Sequence, residues 1–189
     1  MTGVPLHLMR HGAPQTPGRM IGHGDWPATA AGLATCIDRA AGLPVRLVVS
    51  SDLQRARHAA ERIAQARGLP LRIDARWREL DFGAWDGLTA ADIAPAALEA
   101  FWNDPDAAPP PGGERWSSLV ARVSTAIAAL PREPALVVTH GGAMRAALAA
   151  LCGFGLPQLW AFALPYAALL SLTVRHGPPA TAEIMGLQP

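Results

Sequence analysis

The chain contains no lysine: all sixteen of its basic side chains, set against fifteen acidic ones, are arginines. That excludes chemistry run through a lysine amine, including Schiff-base and pyridoxal-phosphate catalysis, the G-x-x-x-x-G-K-[ST] phosphate loop and the strand lysine of kinases. Cysteine is scarce too. Cys36 and Cys152 stand far apart and belong to no C-x-x-C pattern, so they predict neither a disulfide framework nor a thiolate metal site. Their expected place is a protein interior in a reducing compartment, and with it the cytoplasm. No run reaches the roughly 18 apolar residues of a membrane span, and Met1–Leu8 lacks the basic start and long apolar stretch of a leader. A net charge of +1 provides no broad footprint for nucleic acid or an anionic membrane surface. Any anion this protein binds must be held locally.

What remains is a chain built for a core. Half of its 189 residues are hydrophobic and 16% are charged, which predicts one globular domain over residues 1–189. A domain of this size buries about 70% of the surface of its unfolded chain. Short apolar runs at Val4–Met9, Val45–Val49 and Ala135–Thr139 read as buried strands, each stopped by a polar turn, and Leu169–Val174 reads as the last strand. Alanine-rich helices are expected at Ala30–Ala41, Asp52–Arg67, Glu114–Leu130 and Ala143–Leu151, with a further short one at Leu159-Trp160. Strands alternating with helices predict a three-layer α/β/α sandwich around a mostly parallel sheet, with ligands beyond the carboxyl ends of the strands. Two stretches fall outside this rhythm, Ala13–Thr29 and Phe82–Gly113; both are expected to be long loops and candidates for substrate recognition. An apolar patch on the last strand would suit a homodimer.

The polar turns carry the chemistry. Arg10-His11-Gly12 delivers a guanidinium fork and an imidazole to adjacent positions at the end of a strand, followed by a glycine that lets backbone approach a ligand. Ser50-Ser51-Asp52 is expected to cap the next helix and to place Arg55 in its first turn, beside exposed N–H groups that favour an anion. His58 shares the Arg55 face, although a surface or packed role is its simpler reading. Thr139-His140-Gly141-Gly142 repeats the strand, histidine, glycine order and opens another helix. Glu79 supplies a carboxyl group able to carry a proton.

In chain order, Arg10-His11-Gly12, the S-x-L-x-R-A pattern at Ser51–Ala56, the E-x-x-x-G-x-W-[ED]-G pattern at Glu79–Gly87 and Thr139–Gly142 resemble the signature of the histidine phosphatase superfamily. The resemblance covers nearly the whole chain and implies the phosphoglycerate-mutase-like fold. It further implies that His11 is phosphorylated during turnover, that Glu79 donates and accepts the proton, and that Arg10, Arg55 and His140 complete a phosphate pocket. His140 would serve that pocket best as a cation. Gly12, His23 and Gly141 join Arg10, Arg55 and His140 as expected substrate-binding residues. Where the family often has Glu after the first motif and Asn soon after, this chain has Ala13, Pro14 and Pro17, and Ala59 replaces a common Thr.

The Gly22–Thr29 segment, Phe101–Pro105 and the Pro110–Glu114 turn with Arg122 are most similar to bacterial α-ribazole-5′-phosphate phosphatases, enzymes of cobalamin nucleotide-loop assembly. A broad small-metabolite phosphatase is the main alternative, ahead of a phosphoglycerate mutase or a non-catalytic phosphate-binding module. His7, His23 and His176 show no metal-ligand spacing, so no metal and no cofactor is expected. The partner implied is a small phosphomonoester, α-ribazole 5′-phosphate or adenosylcobalamin 5′-phosphate on the resemblance. Trp26, Trp85 and Trp102 are candidates for stacking on a base such as benzimidazole.

Overall fold

The computed structural model describes residues 3–189. Its elements, in chain order, are β1 (Val4–Arg10), α1 (Ala30–Ala40), β2 (Leu47–Ser50), α2 (Gln54–Arg67), β3 (Leu71–Ile73) and α3 (Pro95–Asn103), followed by α4 (Trp116–Ala128), β4 (Ala135–Thr139), α5 (Gly141–Cys152), α6 (Leu156–Trp160), β5 (Leu169–Arg175) and β6 (Thr181–Gln188). The strands form one six-stranded sheet in the order β3-β2-β4-β1-β5-β6. β3, β2, β4 and β1 run parallel, while β5 is antiparallel to both β1 and β6. This is the expected α/β fold with a mostly parallel sheet.

Alternation along the strands divides the interior into two layers. Leu6 and Leu8 of β1, Val49 of β2 and Val137 of β4 face the core shared with α4 and α5. Met9, Val48, Leu136 and Val138 face the opposite core, shared with α1 and α2. β2 and β4 are buried at every residue, because helices cover both sides of them. Beyond Arg55, the buried stripe of α2 is Ala56, Ala59, Ala60, Ile63 and Ala64, mostly alanines that let the helix lie close to the sheet. Gly68 and Gly153 end α2 and α5 in left-handed conformation, at φ +62° and +69°.

Several expectations need correction. α2 begins at Gln54, and neither Ser50 nor Asp52 caps it. Asp52 instead pairs with Arg78 at 2.8 Å, and the Gln54 N–H donates to the Asp25 carboxylate at 2.6 Å, so the cap arrives from a distant loop. Phe82–Gly113 is not one long loop: it contains α3 and the single-turn helices Gly83–Trp85 and Ala90–Asp92. β3 and β6 were not legible, being short or mostly exposed edge strands without an apolar run. β6 follows the strand expected to be last, so β5 lies inside the sheet. Leu169, Leu170, Leu172 and Val174 are buried there, and the patch assigned to dimerisation is not a surface.

Gly12 follows β1 and packs directly on Gly32 of α1, where an added Cβ would overlap the Gly32 carbonyl. Its glycine is therefore required by helix packing, not by ligand approach as the sequence suggested. A Gly12→Ala substitution should destabilise the fold by about 2–3 kcal/mol, the upper range for overpacking, because rigid backbone must move. Urea unfolding would check this, and a loss below about 0.5 kcal/mol would contradict the packing role.

Candidate active site

The site grows from the pairing of β1 with β4. Their register sets Arg10 opposite Thr139, and the His11 N–H donates to the Thr139 carbonyl at 2.8 Å. His11 and His140 thereby leave neighbouring strand ends side by side, with ring centroids 5.1 Å apart. The Ala167 N–H donates to the His11 carbonyl, and the turn it belongs to sets the Tyr166 ring 5.5 Å from His11. The Arg10 guanidinium lies over the same tyrosine, 4.2 Å from its centroid, and donates to the Leu164 carbonyl at 2.6 Å.

His11 is buried, and its Nδ1 stands 2.8 Å from the Gly12 carbonyl. A carbonyl oxygen only accepts, so Nδ1 carries the proton and the Nε2 lone pair is free. Burial, then Arg55 and Arg10, hold the His11 pKa well below its ordinary value. The imidazole is neutral near pH 7, as a nitrogen nucleophile must be. His140 is fully buried, and neither of its ring nitrogens has a partner among the described residues. Burial first, then Arg55, His11, Arg10 and Arg122, depress its pKa as well. His140, expected as a cation, is thus held neutral, chiefly because it is buried away from water and further because guanidinium groups lie near it.

Glu79 is held at both ends of its carboxylate. Oε1 accepts the Leu80 N–H at 2.8 Å, and Oε2 accepts the Gly142 N–H, in the first turn of α5, at 3.1 Å. A Cβ on Gly142 would overlap that carboxylate, so Gly142 is what admits Glu79 to the helix end. The Glu79 carbonyl accepts from Arg122 Nη2 at 2.7 Å and from His23 Nε2 at 3.1 Å. Arg122 also donates to the carbonyls of Arg76 and Arg78 and forms a two-toothed pair with Glu114. Sequence reasoning marked Glu114 and Arg122 only as subfamily features and missed this positioning.

Arg55 is almost fully buried and spends its fork on the loop before α1, donating to the carbonyls of Gly22 at 2.6 Å and Gly24 at 2.8 Å. Asp86 accepts the Gly22 and Gly24 N–H groups from the other side. The loop is clamped between them. The Arg55 Nε, like that of Arg10, is buried without a partner among the described residues. Unpartnered buried donors gathered around one histidine suit an anion with several acceptor oxygens.

A cavity opens above His11. Arg10, His11, Glu79, Gly141, Gly142, Arg145 and Tyr166 line it. Gly12, His23, Arg55 and His140, all expected to touch substrate, do not line it. Gly12 and His23 act on α1 and on the Glu79 backbone, whereas Arg55 and His140 adjoin His11 with buried nitrogens that have no partner among the described residues. His58, on α2, is also absent from the lining. Tyr166, Arg145 and Trp160 were missed; the single tyrosine of the chain, next to a strand, was the only available signal. Among the described residues, no group of three His, Cys, Asp or Glu side chains is placed to hold a metal ion, and no helix is long and apolar enough to cross a membrane.

The family model for the histidine phosphatase superfamily (branch 1) matches residues 6–184. The chain belongs to this superfamily. A glucosyl-3-phosphoglycerate phosphatase of Mycobacterium tuberculosis is 35% identical over 166 residues, covering 77% of this chain and 74% of that protein. The adenosylcobalamin/alpha-ribazole phosphatase of Escherichia coli strain K12 is 32% identical over 169 residues, covering 83% of each chain. The solved structure of a mycobacterial glucosyl-3-phosphoglycerate phosphatase matches with a TM-score of 0.86 at 29% identity, over 97% of both chains. These named relatives of the histidine phosphatase are phosphatases, that is, phosphoric monoester hydrolases.

The depressed histidines make stability pH-dependent. In the unfolded chain His11 and His140 take up protons below their ordinary pKa of 6.5, while the folded forms resist until much lower pH. The unfolded state then binds more protons, so stability is full above about pH 6.5 and falls below it, by up to about 1.4 kcal/mol per pH unit per histidine. Melting temperatures between pH 7.5 and 5 should fall with pH, and His140→Gln should flatten the slope. Parallel slopes for the two proteins would refute a neutral, buried His140.

Proposed function

We propose that the protein hydrolyses phosphomonoesters through a phosphohistidine at His11, with α-ribazole 5′-phosphate as substrate. The observation that carries this reading is the neutral His11, its Nδ1 proton committed to Gly12 and its Nε2 lone pair free beside Arg10. In the first step Nε2 forms a bond to phosphorus as the ester P–O bond breaks, and its electron pair departs with the alcohol oxygen, which takes a proton from Glu79. In the second, water attacks phosphorus and gives a proton to Glu79, while the N–P electron pair returns to Nε2. Arg10, Arg55 and the Gly141 N–H at the start of α5 stabilise charge on the phosphoryl oxygens, a contribution of typically several kcal/mol to the barrier. His140 serves the pocket as a donor from its neutral ring, and takes on charge when a phosphate dianion offsets the nearby arginines.

Similarity to the Escherichia coli enzyme and the mainly apolar cavity wall support α-ribazole 5′-phosphate. One observation favours a second reading. Arg145 on the cavity wall suits a carboxylate, and a Mycobacterium tuberculosis relative is named for glucosyl-3-phosphoglycerate.

Phosphate release from α-ribazole 5′-phosphate, glucosyl-3-phosphoglycerate, sugar phosphates and nucleotides, with His11→Ala beside the wild type, tests both substrates. Preference for α-ribazole 5′-phosphate that vanishes in the variant is the expected result; preference for the glucosyl compound transfers the assignment to the second reading. Brief exposure to labelled substrate should leave a phosphoenzyme that survives alkali and is lost in acid, and an acid-stable adduct would exclude phosphohistidine. Glu79→Gln should lower kcat for alkyl phosphates by about 10²–10⁴-fold and that for an activated aryl phosphate much less. Equal losses on the two would remove Glu79 as the acid.

A further inference from the structure

The mouth of the cavity exposes two large aromatic rings. Trp102, in the last turn of α3, is 43% exposed and Trp160, at the end of α6, is 45% exposed, whereas Trp77 and Trp85 are buried. The two exposed rings meet edge to face with centroids 5.2 Å apart, and both line the cavity that holds His11. Phe101 braces Trp102 from behind at 4.8 Å, and the Arg145 guanidinium covers one part of Trp160, 4.7 Å from its centroid. Among the described residues Arg145 makes only long hydrogen bonds, 3.4 Å to the Gly141 and Phe162 carbonyls, and its Nε has no partner. Its firmest engagement is the tryptophan face. Three independent elements, α3, α6 and α5, therefore converge to hold an open indole at the rim.

We propose that Trp102 and Trp160, with Arg145 fixing Trp160, form a leaving-group subsite selecting phosphomonoesters whose alcohol carries a planar heteroaromatic ring. The proposal rests on the phosphatase reading for the placement of the phosphate at His11. Stacking on an aromatic edge and face suits a flat π-system, and a guanidinium stacked on part of an indole keeps that indole in one orientation. The remaining lining argues against a polyhydroxylated leaving group. None of the described residues lining the cavity is Asn, Gln, Asp, Ser or Thr, and Arg19 already donates to the Gly87 carbonyl. Sugar hydroxyls buried against such a wall would exchange water for few partners. Trp26 and Trp85, which the sequence offered for stacking, do not line the cavity.

Ribose 5-phosphate and α-ribazole 5′-phosphate share phosphate and pentose and differ by the ring, so their kcat/KM ratio isolates the subsite. The wild type should favour the ring-bearing ester by about tenfold or more, chiefly through KM. Trp160→Leu should reduce that ratio about tenfold, and Trp160→Phe should restore most of it; Trp102→Leu serves the same purpose if Trp160→Leu does not fold. Isothermal titration of dephosphorylated α-ribazole into His11→Ala protein supplies a readout that needs no turnover, with affinity expected to drop about tenfold on adding Trp160→Leu. Hydrolysis of α-ribazole 5′-phosphate with a ratio and a product affinity indifferent to both tryptophans overturns the subsite and leaves the phosphatase reading intact. Tryptophan-dependent binding of α-ribazole without any phosphoenzyme upholds the subsite and overturns the phosphatase reading.

Discussion

The parallel pairing of β1 with β4 is the contact on which the rest of the site depends. These strands are distant in sequence but adjacent at the centre of the sheet, and the His11 N–H to Thr139 carbonyl bond closes the ladder where both chains turn away. Two histidines then emerge from neighbouring strand ends, each followed by glycine. One glycine lets α1 press against the strand end, and Gly142 at the start of α5 gives the Glu79 carboxylate room. His11 and Glu79 are thus both referenced to the same rigid edge, the arrangement open α/β sheets favour for binding sites.

Charge is the second constraint. Arg10, Arg55 and Arg145 form no ion pair among the described residues; carbonyl oxygens take their hydrogen bonds instead. A carbonyl satisfies an N–H without cancelling its charge, so positive potential survives in a buried place. Burial first, and that potential second, disfavour the charged form of His11 and His140, which leaves the His11 Nε2 lone pair free. Arginine suits this better than lysine, because its planar fork reaches two or three carbonyls while the charge stays in place. Arg122 is the exception that confirms the logic: it lies behind the Glu79 backbone, where Glu114 neutralises it and its fork works as a clamp.

Much of this was legible before folding. The apolar runs that became β1, β2, β4 and β5 and the alanine-rich helices between them follow directly from residue pattern, and the motif residues Arg10, His11, Glu79 and Gly141 line the cavity. What escaped was made of long-range partners. Asp25 caps α2 from across the site, and His23 turned out to brace the Glu79 carbonyl instead of facing the cavity. β6 carries no apolar run because an edge strand has one side in solvent, and α3 was hidden within a segment whose proline and glycine content reads as loop.

The sequence by itself determined the alternation of strands and helices, the strand-end histidines and the reliance on arginine, since local periodicity and residue chemistry are written along the chain. The tertiary structure alone decided which donors remain unpartnered, which histidine protons are lost and which aromatic rings wall the cavity. Those properties depend on desolvation and on distances between residues far apart in sequence, such as Arg55 and Gly22, Arg122 and Glu79, or Trp102 and Trp160. No local pattern encodes them, because each exists only once the sheet has brought its distant strands together.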